Sequence, residues 1–309
     1  MGEAPGKKPS GVLVVDKPLG PTSHDVVARA RRALRTREIG HAGTLDPMAT
    51  GVLVLAVGEA TKLVPYLTAD DKRYEARLAL GATTSSLDAQ GEVTETAPVP
   101  PLDLVAVQRA AEAFLGEHDQ EAPIVSAIKV DGEALHRRAR RGEKVEAPVR
   151  RVVLHAVTVT AIEGAELVFE LHAGKGFYVR SFGRDLARAL GTVGHLVALR
   201  RTASGRFRIE DAVPFEAFAK VDDASREALV GRLLPLGEAV AALPRVTLTE
   251  RGAKDAFHGR PILLAEGVAE GAASLVPGRA AALFAPDGSL LAIGELRDAS
   301  SLRVVRGFR

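Results

Sequence analysis

The sequence predicts an α+β fold: a mixed, largely antiparallel sheet with flanking helices, followed by a small C-terminal β-rich module. Three observations carry this. Strand-like and helix-like segments interleave without the regular spacing of βαβ units. Two strand-like runs, Val152 to Ile162 and Leu167 to Ala173, meet at a short turn around Glu163-Gly164. After about Leu243 the texture changes to short strands broken by Gly- and Pro-bearing turns. The expected division is residues 10–243 and 244–309.

The elements follow in order. Gly11 to Val15 reads as a strand. Ser23 is a suitable N-cap for a helix to about Leu34, with Val26, Val27, Ala30, Ala33 and Leu34 on its apolar side. The continuous run Val52-Leu53-Val54-Leu55-Ala56-Val57 reads as a buried strand, and Glu59 to Leu67 as a short helix. Tyr74 to Leu80 alternates as a half-buried strand does. Gly81 to Pro101 reads as a polar loop, and Leu102 to Leu115 has helical period. Ile124 to Val130 reads as a strand and Glu133 to Arg141 as a basic helix. Val179 to Leu190 is a helix closed by Gly191 at C′. In the last segment, Val246 to Thr249, Ala280 to Phe284, Leu290 to Leu296 and Leu302 to Val305 read as strands. Turns at Gly259-Arg260-Pro261 and Pro286-Asp287-Gly288 punctuate them.

Composition excludes several classes. A chain of 309 residues without cysteine has no disulfide framework and no thiol chemistry, which suits a reducing cytoplasm, the expected location. Met1 to Ser10 is polar, and no apolar stretch is long enough for a signal peptide or a membrane span. The eight histidines show no HExxH or similar ligand spacing, which without cysteine argues against a zinc site. There is no Gly-rich phosphate loop or dinucleotide fingerprint, so neither metal nor cofactor is expected. Net charge is +2, but arginines cluster. Arg29, Arg31, Arg32, Arg35 and Arg37 form one group. Arg137, Arg138, Arg140, Arg141, Lys144, Arg150 and Arg151 form a second, and Arg200, Arg201, Arg206 and Arg208 a third. Such groups are either solvated faces or a phosphate-tracking surface.

The most informative stretch is Gly40-His41-Ala42-Gly43-Thr44-Leu45-Asp46-Pro47-Met48-Ala49-Thr50-Gly51. Glycine allows positive φ and close backbone approach; proline fixes φ. Asp46 therefore sits in contorted backbone at the lip of a buried strand, where a reactive carboxylate can be held rigid and partly dry. Taken alone, Asp-Pro is more often a simple turn pair.

This stretch resembles the catalytic motif of the TruB family of tRNA pseudouridine synthases. Four further segments resemble the family's motifs in the same order. They are Gly11 to Ser23, Asp71-Lys72-Arg73-Tyr74, Gly174-Lys175-Gly176-Phe177-Tyr178-Val179-Arg180-Ser181 continuing to Asp185-Leu186, and His195 to Gly205. The resemblance implies isomerisation of uridine to pseudouridine in the T-arm of tRNA, at position 55 of standard tRNA numbering, through base flipping. It implies Asp46 as the catalytic carboxylate and Arg180 as its forked cationic partner. Tyr74 would stack on the flipped base, with Tyr178 beside Arg180 and Leu199 under the base. His41 would fill the gap in the RNA, and Lys17 would contact phosphate or serve structure, the latter favoured. The last segment resembles, by position and coarse pattern, a PUA-type RNA-binding module. The expected partner is tRNA alone, bound by a monomer, with no membrane and no protein partner.

Two positions depart from the family pattern: Val125 and His136 stand where tyrosine is common. The rival readings are a non-catalytic tRNA-binding or tRNA-folding protein, the RNA-guided relative of the family, and a retaining glycosidase. The last would need a second carboxylate flanking the bond, and none stands at a motif position.

Overall fold

The computed structural model describes residues 8–124, 141 and 147–308, together with the backbone of 129–130 and 133–134. Val125, His136, the basic residues Arg137, Arg138, Arg140 and Lys144, and most of the expected helix over 133–141 lie outside the described residues.

The first half supplies strands β1 (Gly11–Lys17), β2 (Ile39–Ala42), β3 (Ala49–Val57), β4 (Lys72–Leu80), β5 (Ala82–Thr84), β6 (Val93–Thr96) and β7 (Gly116–Glu121). Between them run helices α1 (Ser23–Ala33), α2 (Val64–Thr68) and α3 (Leu104–Glu112). A two-residue hairpin of β8 (Lys129–Val130) and β9 (Glu133–Ala134) replaces the expected helix start. The intervening Asp131-Gly132 is a strong hairpin-turn dipeptide, which outweighs helical period there. Then come β10 (Val149–Glu163), β11 (Glu166–Ala173), α4 (Val179–Ala189), β12 (Gly194–Ser204), β13 (Phe207–Arg208) and β14 (Val213–Pro214).

A ten-stranded sheet runs β14-β1-β3-β12-β4-β11-β10-β7, with β2 beside β3 and β13 beside β12. Its pairings are antiparallel except β1–β14 and β3–β12. The mixed, largely antiparallel expectation therefore holds. In the parallel β3–β12 junction Ala49 faces Leu199 and Gly51 faces Arg201.

The strands β1 and β3 are covered on both faces, which is why Val52–Val57 is apolar without alternation. On one face Leu13, Val15, Leu53 and Leu55 pack with Val26, Ala30 and Leu34 of the α1 region, in a core that continues to Phe169, Phe182 and Leu186. On the other face Val12, Val14, Val52 and Val54 pack with Phe284, Ile293 and Phe308. The latter come from a second sheet of six strands, ordered β16-β20-β19-β18-β15-β17. These are β15 (Arg245–Leu248), β16 (Ile262–Leu263), β17 (Val268–Glu270), β18 (Ala280–Phe284), β19 (Leu290–Asp298) and β20 (Ser301–Gly307). Among the described residues no helix is long and apolar enough to cross a membrane.

Two local expectations are corrected. The N-cap of α1 is Thr22, not Ser23: Thr22 and Asp25 form a reciprocal capping box. The segment 81–101 is not a bare loop; it carries the β5–β6 hairpin and folds back on β12, with Ala89 donating to the Leu196 carbonyl.

Gly51 is required by this architecture. Its φ is +96°, and a Cβ there would run into the carbonyl of Arg201 on the paired strand. Replacing Gly51 by alanine is expected to cost about 3 kcal/mol or more, through backbone strain and loss of close strand approach. Urea unfolding followed by circular dichroism measures this; a midpoint unchanged from wild type contradicts it.

Candidate active site

Asp46 lies in the turn between β2 and β3, and buried polar side chains from three other elements hold that turn. Lys17, at the end of β1, donates from Nζ to the carbonyls of Ala49 (2.6 Å), Pro18 (3.0 Å) and Pro47 (3.4 Å). Ser23 in the first turn of α1 accepts from the Leu45 amide at 2.9 Å and donates to its carbonyl at 3.0 Å. Arg201 of β12 donates from Nε to the Val52 carbonyl at 2.7 Å and from Nη2 to that of Gly43 at 2.9 Å. Turn carbonyls that would otherwise lie unpaired away from water are thereby satisfied. Asp46 is left with its side chain 36 % exposed.

Arg180 meets Asp46 from the opposite wall. It sits in the first turn of α4, only 4 % exposed. Its Nη2 lies 2.9 Å from Oδ2 of Asp46, and its Nη1 3.2 Å from Oδ2 of Asp88. Nη1 also donates to the Ser86 carbonyl at 2.7 Å. One buried guanidinium thus bridges two carboxylates. Asp88 is closed off, accepting from Ser86 Oγ at 2.6 Å and from the Gln90 amide at 3.0 Å. The preceding residue, Leu87, has φ +62°, a left-handed conformation that costs a non-glycine residue about 1–2 kcal/mol. The start of α4 is fixed by Gln120 of β7, whose side chain accepts from the Tyr178 amide (2.8 Å) and donates to its carbonyl (3.1 Å).

These groups open onto a cavity of about 290 Å³ lined by Leu45, Asp46, Lys72, Tyr74, Tyr178 and Arg180, with Leu199 and Arg201 also on its wall. Tyr74 projects from β4 opposite Leu171 and, on the other side, Arg201 of β12, and is half-buried. Lys72 turns its ammonium to the Thr68 carbonyl at 2.7 Å and to that of Asp70.

The electrostatics are poised rather than neutral. Burial pushes the Asp46 carboxyl above the usual carboxylate value, and Asp88 adds to the effect; Arg180 and Lys17 pull it back. Burial lowers the Lys17 and Lys72 ammonium groups to about 8. Burial likewise pushes Arg201 below its ordinary value, with Tyr74 opposing.

Of the residues singled out in the sequence, Asp46, Tyr74, Tyr178, Arg180 and Leu199 come together around one cavity. Lys17 does not touch it: the residue is fully buried and its ammonium holds the Asp46 turn, so a phosphate contact is ruled out in favour of the structural role. His41 is on β2 outside the cavity lining, edge-on to His24 at 5.3 Å, and burial lowers its imidazole. The arginine groups are also divided. Arg201 is interior, Arg200 pairs with Asp16 at 2.8 Å, Arg35 pairs with Asp223, and Arg29 covers the Phe215 ring. Asp88, Gln120 and Ser23 were not foreseen as site residues. No local signal marks Asp88 or Gln120, since both act through contacts about 60 to 90 residues away; Ser23 lies inside a family-like motif.

A raised carboxyl value in the folded state means that ionised Asp46 costs stability above that value. The cost disappears as pH falls and Asp46 takes up its proton. At neutral pH, Asp46→Asn is therefore expected to be at least as stable as wild type, the gap closing as the solution is acidified through the folded value. Thermal melts of both chains across pH 4 to 8 test this; a variant markedly less stable at pH 7 contradicts it.

Comparison with known proteins agrees with this arrangement. Residues 31–179 match the TruB family pseudouridylate synthase N-terminal domain, and residues 180–241 the tRNA pseudouridylate synthase B C-terminal domain. The chain is 45 % identical to tRNA pseudouridine synthase B of Thermobifida fusca (strain YX), over 96 % of this chain and 97 % of that protein. It is 44 % identical to tRNA pseudouridine synthase B of Opitutus terrae, over 77 % of this chain and 98 % of that protein. Among solved structures, a chain in the crystal structure of a Cbf5-Nop10-Gar1 complex superposes with a TM-score of 0.75 at 26 % identity, covering 96 % of this chain and 84 % of that one. A polypeptide related so closely over nearly its whole length belongs to the TruB family of pseudouridylate synthases.

Proposed function

We propose that this chain isomerises uridine to pseudouridine in the T-arm of tRNA, at position 55 of standard numbering. It does so in the cytoplasm, as a monomer without cofactor or partner protein. The observation that carries the reading is the half-exposed Asp46 carboxylate, held at 2.9 Å by buried Arg180 at the mouth of a cavity carrying Tyr74 and Leu199. The curated relatives bear the name of this activity; the T-arm position rests on the motif resemblance.

The reaction breaks the N1–C1′ bond, turns the uracil and joins C5 to C1′. It needs a group that reacts at the ribose and a pocket that keeps the freed base from water. Asp46 supplies the first, by attack on C1′ or by removal of the C2′ proton to give a glycal. Both routes require the ionised carboxylate, which Arg180 favours. The cavity is at the small end for ligand sites and suits one everted nucleotide. Stacking on Tyr74 returns about 1–3 kcal/mol, comparable with the few kcal/mol that extrusion costs. Tyr178 and Leu199 complete the walls of the base site. The pairing of a cavity-facing outer acid with a buried inner one also speaks against a glycosidase. Asp88 is shielded from the cavity and cannot flank the scissile bond.

The six-stranded sheet falls within residues 244–309, and we keep that boundary and its PUA-type, RNA-facing role as part of the proposal.

Asp46→Asn is expected to lower turnover by at least about 10⁴-fold while tRNA affinity stays close to wild type. Tritium release from a C5-labelled tRNA transcript with the purified chain alone reads this out. Retained turnover removes the assignment, and turnover that appears only with added proteins favours an RNA-guided enzyme. Binding should also fall steeply with salt through counterion release: about six phosphate contacts predict a loss of about 10³-fold between roughly 50 and 200 mM. Filter binding at several salt concentrations checks it, and a flat response excludes a phosphate-tracking surface.

A further inference from the structure

Histidine spacing argued against a metal site, yet the fold brings together three ligand-type side chains that the sequence keeps far apart. Asp71 lies in the turn entering β4, His155 on β10 and His172 on β11. Nε2 of His155 is 3.3 Å and Nε2 of His172 3.4 Å from the same oxygen, Oδ2 of Asp71. All three ligand atoms fall within 4.8 Å of one another. A tetrahedral ion with bonds of about 2.0–2.2 Å has ligand–ligand edges of about 3.3–3.6 Å. Two edges of such a polyhedron are already in place.

His155 is put there by a break in the β10–β11 ladder. Leu154 faces Ala173, but the next pair is Ala156 with His172, so His155 and Ala156 together stand opposite one residue. A bulge of this kind turns an extra side chain toward the face of its neighbour. The two imidazole rings accordingly lie with centroids 4.8 Å apart and planes at 41°, too tilted for parallel stacking. The side chains are 47 % (Asp71), 38 % (His155) and 26 % (His172) exposed, so an ion can enter and water can take a remaining position.

We propose that Asp71, His155 and His172 form a binding site for a borderline divalent transition-metal ion, Zn²⁺ being the type, with three protein ligands and an open position. Two neutral nitrogens and one carboxylate suit such an ion better than Mg²⁺ or Ca²⁺, which prefer all-oxygen shells. The site is placed where an ion would matter. Asp71 is joined directly to Lys72, two residues before Tyr74. Nε2 of His155 lies 3.5 Å from where a Cβ on Gly174 would stand, at the root of the 174–180 segment that lines the cavity. A bound ion would fasten these two walls of the cleft to each other, whether or not the chain isomerises uridine.

The test uses the full, untagged chain titrated with ZnCl₂ by calorimetry, with Co²⁺ absorption as a probe of coordination. The expected result is saturable binding of one ion per chain, Co²⁺ bands of a four-coordinate site, and a Tm about 5 °C higher at Zn²⁺ near 100 times Kd. His155→Ala and His172→Ala should each weaken binding at least about tenfold, whereas His258→Ala, remote from the cluster, should leave it unchanged. Absence of saturable binding to wild type overturns the proposal. So does wild-type affinity in both cluster variants, with their fold verified by circular dichroism.

Discussion

The site depends on one buried guanidinium shared by two carboxylates. Arg180 is held between Asp46 and Asp88, so the three charges sum to a net negative cluster in a poorly solvated place. The inner acid has its remaining acceptor sites filled by Ser86 and Gln90; the outer acid faces the cavity. That asymmetry gives two identical side chains different surroundings: one anchors the cation and the other is left open to the cavity. Loss of Arg180 would leave Asp88 buried without its cation, a change that typically costs about 3–5 kcal/mol, whereas loss of Asp46 leaves Arg180 still paired with Asp88; this accounts for the scaffolding around the guanidinium. The left-handed Leu87, the Gln120 clamp on Tyr178 and the early position of Arg180 in α4 all fix the same short ion pairs.

A second set of cations works quite differently. Lys17 and Arg201 are buried and turned to backbone carbonyls of the Asp46 turn, not to any partner outside the protein. They add partners to an irregular turn that has few backbone hydrogen bonds of its own, Ala49 N–H to the Asp46 carbonyl among them. The Lys17 charge also helps keep the Asp46 carboxyl from rising further. Counting basic residues along the chain cannot separate such interior props from a surface that tracks phosphates, which is why the third arginine group divides as it does.

Much of the fold was legible because it is local. The run Val52–Val57, the β10–β11 pair and α4 with its left-handed Gly191 cap follow from hydrophobic period and turn chemistry. The Thr22 cap was missed by one position: Thr22 and Ser23 are both good caps, and only the tertiary contact of Ser23 with Leu45 decides between them. The site was legible as a set of motifs, and Asp46, Tyr74, Tyr178, Arg180 and Leu199 do share one cavity. What stayed hidden was set by long-range register. Asp88 reaches Arg180 only because the 84–91 turn docks on β12, and His155 meets His172 only because the ladder slips by one residue. Neither event leaves a mark in local composition.

The two-sided covering of β1 and β3 has a consequence for the last sixty-odd residues. Phe284, Ile293 and Phe308 shield Val12, Val14, Val52 and Val54, the same strands whose ends carry Lys17 and the Asp46 turn. The terminal sheet is therefore a cover for the hydrophobic back of the strands beside the cavity as well as an appendage. Trimming it away would wet a broad greasy surface on the strands that lead to the Asp46 turn.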